Sequence, residues 1–395
     1  MWHKLRDKAQ YLDYWLLIPY VILCAIGALM VYSASSDLMS IHGAKPDAYF
    51  TKQLIYIGLG FVLLLFSFFL KLNLLRKPKF LIGVTAVILL ALFYLLVLSR
   101  IRPDAAINGA TAWINLGPFS IQPAEFAKLL IVLYLANMLS KREKNLSEHW
   151  RDNVRLFSAP VILVAVIIAF VLVQPDTGGA AILGIILLVL LFASGISFWW
   201  GISIISATLA VIIAAIAGLS RLNLTTGVNY RFNRILAFLE PFKLENMGGS
   251  QLVNSYYAIN NGGWFGMGLG NSIQKRGYLP EPYTDFILSI TTEELGVVGA
   301  LFILGLLFLL IFRIFTIGIR ARQTYNALIC YGIGTIIFVQ SLFNIGGLLG
   351  LLPITGVTLP FISYGGSSML VLATGLGLVL NVSAQEKKAL KMKQS

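Results

Sequence analysis

The stretch YLPEPYTDFILSITTEELGVVGALFILGLLFLLIF, Tyr278 to Phe312, decides the fold. Its second part, 286–312, is an apolar run that holds two carboxylates, Glu293 and Glu294, and no cation. About 17–25 such residues suffice to cross a bilayer as a helix. Outward from it, further apolar runs of spanning length lie at roughly 14–35, 53–70, 80–98, 122–139, 156–174, 177–195, 199–218, 325–348 and 368–383. The chain is 58% hydrophobic and 12% charged, whereas a soluble domain carries about 25% charged residues. The expected fold is an all-α polytopic membrane protein with ten transmembrane helices. No internal repeat or low-complexity linker interrupts it, so residues 1–395 read as a single membrane domain. The first run has a basic flank (Lys4, Arg6, Lys8) and a VYSAS end that imitate a signal peptide. Its length and the runs that follow make it a retained helix.

Cys24 and Cys330 sit far apart in apolar runs, and the histidines are His3, His42 and His149. Neither a disulfide framework nor a Cys- or His-built metal site or triad is indicated. The net charge of +13 is a topology signal. With the N-terminus inside, Lys and Arg number three before the first span, four in 71–79, five in 140–155, three in 313–324 and four at the C-terminus, 19 of 30 in all. Positive charge stays on the cytoplasmic side, where it also contacts anionic lipids; nucleic acid is not an expected partner. Both termini are therefore cytoplasmic, and a large external loop, 219–285, joins the seventh and eighth spans.

The outer segments 99–121, 219–285 and 349–367 are rich in Gly, Trp, Tyr and Pro, which suits ordered loops. In NGGWFGMGLGNSIQKRGYLPEPYTDF, the glycines from Gly262 to Gly270 either bring backbone N–H groups close to a phosphate or simply turn the loop tightly. Lys275 and Arg276 suit a pyrophosphate. Pro280 and Pro282 stiffen an arm that carries Glu281 and Asp285. Thr284 is a candidate N-cap that would leave Asp285 in the first helical turn, as a dipole-favoured cap or as a working acid. Ser289 and Thr292 fall on the Asp285 face of that helix. Glu293 and Glu294, deeper in the span, are functional candidates or partners for other helices. In FSIQPAEFAK, Pro123 fits a first helical position, Glu125 can fold back on the cap, and Glu125 and Lys128 form an i,i+3 pair. QPDTGG reads as a tight helical hairpin with Asp176 as cap. LLPITGVTLPFISYGGSS is too broken by Pro and Gly for a regular span, so it lies buried in protein or lines a wet cavity.

Those four motifs, in this order and on this side of the membrane, resemble the SEDS family of bacterial membrane proteins, and the likeness runs from the first span to the last. The GWFGMGLGNSIQK form is closer to the Gram-positive style of its FtsW branch than to its RodA branch. The resemblance implies a peptidoglycan glycosyltransferase in the bacterial cell membrane, active site outward, that polymerises lipid II during division or elongation. It implies a class B penicillin-binding protein as partner, with other divisome or elongasome membrane proteins nearby. By motif position, Asp285 matches the family's essential acid; Gln122, Glu125, Lys128, Asp176 and Lys275 match polar positions. One departure is Ala112 before Trp113, where many relatives carry a cation. Arg102, Arg231 or Arg234 would have to replace it. Positive charge for the leaving pyrophosphate comes from Lys128, Lys275, neighbouring arginines or a divalent cation, Mg2+ or Mn2+; the sequence does not choose. Two rival readings stand beside the enzyme. Glu125, Glu293 and Glu294 within spans also fit a lipid II flippase, and a scaffold that activates its penicillin-binding partner needs no site at all.

Overall fold

The computed structural model describes residues 8–41, 43–101, 112–117, 119–142, 150–195, 199, 202–203, 206, 238–244 and 249–394. Helices α1 (Tyr14–Ile41), α2 (Ala48–Phe69), the short α3 (Leu72–Leu75) and α4 (Pro78–Ile101) come first. A two-residue antiparallel pair follows, β1 (Ile114–Asn115) with β2 (Ser120–Ile121), Ile114 opposite Ile121. Then come α5 (Pro123–Arg142), α6 (Trp150–Val173), α7 (Thr177–Ala193), α8 (Ser250–Gly262), α9 (Ile287–Arg320), α10 (Thr324–Leu348) and α11 (Gly366–Gln394). Seven of them, α1, α2, α4, α5, α9, α10 and α11, are long and apolar enough to cross a membrane, while α6 and α7 carry the shorter apolar stretches Phe157–Val173 and Thr177–Ala193. Nine of the ten expected runs thus coincide with helices. The seventh, 199–218, falls almost wholly outside the described residues.

The chain divides into two compact units. One is built from Met1–Phe69, Asn233–Ile314 and Ile337–Ser395, the other from Leu70–Phe232 and Phe315–Ile336. Two of the boundaries fall inside α9 and α10, so no linker composition marks them in the sequence.

In the first unit α11 is the central helix, with 89% of its most apolar window buried. It packs most extensively on α2. Small residues allow this: a Cβ on Gly377 would stand 2.3 Å from the Leu64 carbonyl oxygen, and one on Gly366 would meet the Tyr56 ring at 2.2 Å. Between lipid-solvated helices, where burial gives little driving force, such close backbone approach supplies the dispersion contacts. Gly27 of α1 does the same for the irregular 349–365 segment, since a Cβ there would lie 2.4 Å from the Phe361 carbonyl. Phe361 itself is held at φ 65°, buried edge-on against Tyr20 with ring centroids 5.1 Å apart. Ahead of α1, buried Asp13 accepts from Arg313 at 2.7 Å and Ser383 at 2.8 Å, and Lys8 reaches Asn381 Oδ1 at 2.6 Å. Lys8 of the basic flank is thus anchored on α11.

In the second unit α5 packs on α7. The chain turns at Pro175, and Asp176 caps α7 by accepting from the Gly179 N–H at 2.7 Å. The tight hairpin expected from QPDTGG is present.

Gly377→Val places branched atoms against the Leu64 carbonyl. It should lower stability by about 1–3 kcal/mol, as overpacking does, read as a fall in the thermal midpoint of the purified protein in detergent.

Candidate active site

At about 1.5 Å per residue, α9 would run to about 51 Å as one straight helix, well beyond the ~30 Å hydrocarbon core. It is broken at Gly296, whose φ of 74° and ψ of 176° are not helical. The break frees backbone groups, and the glycine-rich loop takes them up. The carbonyls of Glu293 and Glu294 accept from Met267 N (2.9 Å) and Gly268 N (3.0 Å). Val297 N and Val298 N donate to Gly263 O (2.9 Å) and Trp264 O (3.2 Å). The two strands of backbone approach so closely that side chains are excluded. A Cβ on Gly262 would lie 2.0 Å from Thr292 O, on Gly266 2.2 Å from Glu294 O, and on Gly296 2.3 Å from Trp264 O. Of the two roles open to these glycines, the structure supports tight backbone approach. The N–H groups of Met267 and Gly268 serve α9 and not a phosphate.

The carboxylates beside the break serve the same loop. Glu293, fully buried, accepts from Asn261 Nδ2 at 3.1 Å, Ile273 N at 3.2 Å, Gln274 N at 3.3 Å and the Ser272 hydroxyl. Glu294, also buried, takes the Lys275 ammonium at 2.9 Å, with the Ser33 hydroxyl 2.7 Å from both of its oxygens. Lys275 Nζ donates to Ser33 Oγ as well, at 3.0 Å. The sequence suggests Lys275 as a pyrophosphate ligand; the structure instead buries it, 1% exposed, as the counter-ion of Glu294. An ion taken out of water needs such a partner. Glu293 and Glu294 likewise follow the second of their two readings, bonding within the fold, which removes two of the three carboxylates behind the flippase reading. Arg276 stays at the surface, 3.7 Å from Asp37. Ser33, Ser272 and Asn261 carry no sequence signal for these roles.

Asp285 precedes α9, which begins at Ile287, so it lies outside the first helical turn. Thr284 does not cap the helix: its hydroxyl turns back to Glu281, 3.1 Å from Oε2 and 3.3 Å from the carbonyl. Glu281 makes that reversal at φ 53°, a left-handed conformation that a side chain tolerates poorly. Ser289 is hydrogen-bonded to Ser255 at 2.7 Å, and Thr292 bonds its own helix at Leu288 O. Asp285 is half-buried and lines an open recess with Asn344, Thr355, Gly356 and Val357. Next to it, Tyr283 stacks on Tyr49 at 4.4 Å. Burial, and then the Tyr49 hydroxyl, push its phenol pKa above the usual range.

The second unit holds the other named positions. Pro123 opens α5 as expected. Glu125 does not fold back on the cap; its Oε1 takes Lys128 at 2.6 Å, and Lys128 is buried. Glu125 Oε2 has no hydrogen-bond partner among the described residues. Gln122 donates to Asp176 Oδ2 at 3.2 Å, tying the start of α5 to the α6–α7 turn. Ala112 is buried. Arg102, Arg231 and Arg234 lie outside the described residues. Among the described residues no group of three His, Cys, Asp or Glu side chains is placed to hold a metal ion.

Removing one member of a buried ion pair strands the other. Lys275→Met should therefore destabilise by about 3–5 kcal/mol, and Lys275→Met with Glu294→Leu should recover most of the loss, both read from thermal unfolding.

The family model FTSW_RODA_SPOVE, described as "Cell cycle protein", matches residues 14–388. The chain is 38% identical to the probable peptidoglycan glycosyltransferase FtsW of Lactococcus lactis subsp. lactis (strain IL1403), over 97% of this chain and 94% of that one. To the probable peptidoglycan glycosyltransferase FtsW of Bacillus subtilis (strain 168) it is 37% identical, over 96% and 92%. Among solved structures it is similar to a chain reported under "Structural coordination of polymerization and crosslinking by a peptidoglycan synthase complex", with TM-score 0.72, 28% identity and coverage of 95% and 98%. The rod shape determining protein RodA of Thermus thermophilus gives TM-score 0.64, 28% identity and coverage of 94% and 96%. A match over nearly the whole chain makes this protein a member of the SEDS (FtsW/RodA/SpoVE) family.

Proposed function

We propose that this protein is a peptidoglycan glycosyltransferase that polymerises lipid II at the outer face of the bacterial cell membrane, as an FtsW-type enzyme of cell division. Asp285 acts as general base, within reach of the 4-hydroxyl of the acceptor GlcNAc. As that oxygen attacks the anomeric carbon of the donor MurNAc, its proton passes to the Asp285 carboxylate. The bond from the anomeric carbon to the pyrophosphate breaks, and undecaprenyl pyrophosphate leaves with the electron pair. Attack opposite the leaving group inverts the anomeric centre, as in inverting glycosidases, with a sugar hydroxyl in place of water. The observation that carries the reading is the different fate of the acids around α9. Glu293 and Glu294 are fully buried, while Asp285 is half-buried in the wall of a recess.

Charge on the departing pyrophosphate is met from the exposed Arg276. A divalent ion would add a Lewis acid to that diphosphate, and no step here runs through one. The expected partner is a class B penicillin-binding protein, which crosslinks the glycan strands. This view is favoured over a flippase because Glu293 and Glu294 are engaged by their own loop.

A general base contributes about 10²–10⁴-fold. Asp285→Asn should therefore lower lipid II polymerisation at least about 100-fold, with conventional polymerases blocked and the cognate class B penicillin-binding protein present. Full polymerisation by that variant would sink the assignment of the base, and no polymer from wild type would return the flippase and the scaffold.

A further inference from the structure

The irregular segment 349–365 has so far no task beyond packing, yet together with Asn344 of α10 it meets the Asp285 arm at three successive backbone carbonyls. Tyr283 O accepts from Tyr364 N at 2.9 Å. Thr284 O accepts from the Ser363 hydroxyl at 2.6 Å. Asp285 O accepts from Asn344 Nδ2 at 2.8 Å. None of the three donors belongs to α9, and the first bonds of that helix, Ser289 N and Ile290 N, already run to Phe286 O. The arm is therefore aimed by one backbone and two side-chain donors from elsewhere.

We propose that Asn344 and Ser363 are positioning residues for Asp285, fixing the backbone from which its carboxylate reaches the acceptor hydroxyl; this rests on Asp285 being the base. Asn344 is 4% exposed in the largely apolar α10, where burying a polar group is unfavourable unless it is bonded. Its amide also donates to Val357 O at 2.9 Å, so one side chain clamps two walls of the recess. Ser363 has a single hydroxyl hydrogen, which goes to Thr284 O, while its oxygen accepts from Leu359 N at 2.8 Å. With these peptide planes fixed, φ and ψ at Thr284 and Asp285 are fixed. Only two side-chain torsions then remain between the backbone and the carboxylate. A general base must stand within hydrogen-bond reach of the proton it takes, and a misplacement of about 1 Å can lower the rate about 100-fold. Glu281, bent at φ 53° on the other side of the arm, leaves the chain little slack to correct such a shift.

The test measures lipid II polymerisation by the complex with the class B partner for wild type, Asp285→Asn, Asn344→Leu, Ser363→Ala and Ser363→Thr. Asn344→Leu keeps the volume and removes both donors; Ser363→Thr keeps the hydroxyl. Amide hydrogen exchange over 279–292 is followed in parallel. Asn344→Leu and Ser363→Ala should lower kcat about 10–100-fold with KM for lipid II nearly unchanged. Exchange should quicken only over 279–292, and Ser363→Thr should restore kcat. Wild-type kcat in Asn344→Leu and Ser363→Ala beside an inactive Asp285→Asn overturns the positioning role alone. Loss of kcat and KM together, with faster exchange through α9 and α10, also overturns it and leaves a merely structural contact. Polymerisation by Asp285→Asn overturns the base itself and this proposal with it.

Discussion

A helix in a bilayer must satisfy its backbone groups within protein, and α9 breaks that pattern at Gly296. The loop 262–275 exists in its observed form because of that break. Its N–H groups replace the missing helical donors, its carbonyls replace the missing acceptors, and Glu293 and Glu294 hold its far end. The exchange is reciprocal, since each partner leaves unsatisfied groups without the other. Glycine at 262, 266 and 296 follows directly, because nothing larger lets two backbones come that close. The chain that leaves this clasp is the arm that carries Asp285.

Charge follows the same economy. The first unit buries Lys275 against Glu294 and Asp13 against Arg313, and the second buries Lys128 against Glu125. Replacing a buried pair by apolar residues is often neutral for stability, whereas separating its members is not. Such pairs fix register: Lys275 joins the loop to Ser33 of α1 through Glu294, and Arg313 joins α9 to the chain before α1. They are poor candidates for binding a substrate diphosphate, since each would have to abandon a buried partner first. Arg276, one residue from Lys275, faces no such conflict.

Much of this was legible in the sequence, for physical reasons. Apolar runs of spanning length are dictated by the bilayer, so helices such as Pro78–Ile101 and Thr324–Leu348 were found nearly to their ends. Pro123 at a helix start, the Glu125–Lys128 pair and the Asp176 cap depend on neighbours within four residues, and local rules found them. The engagement of Lys275 and Glu294 with Ser33, and of Glu293 with Asn261 and Ser272, was not legible because these partners are distant in the chain. Thr284 satisfies every local rule for a cap, yet its hydroxyl has a nearer acceptor in the turned-back Glu281. The division into two units was invisible because its boundaries pass through continuous helices.

The irregular 349–365 segment shows how an unfavourable feature becomes necessary. Phe361 in a left-handed conformation, a buried Asn344 and a backbone with no regular ladder would each destabilise an isolated span. Beside them, Tyr364 N and the Ser363 hydroxyl from this segment, and Asn344 Nδ2 from α10, donate to successive carbonyls of the neighbouring arm. An arm that precedes a helix has carbonyls the ladder does not use, so it can be held rigid only by such donors. Rigidity there is what the general-base role proposed for Asp285 requires. A sugar hydroxyl is less mobile than water, so it cannot readily move to meet a displaced carboxylate. The disorder of the motif on paper and the order of the Asp285 arm are therefore two sides of one constraint.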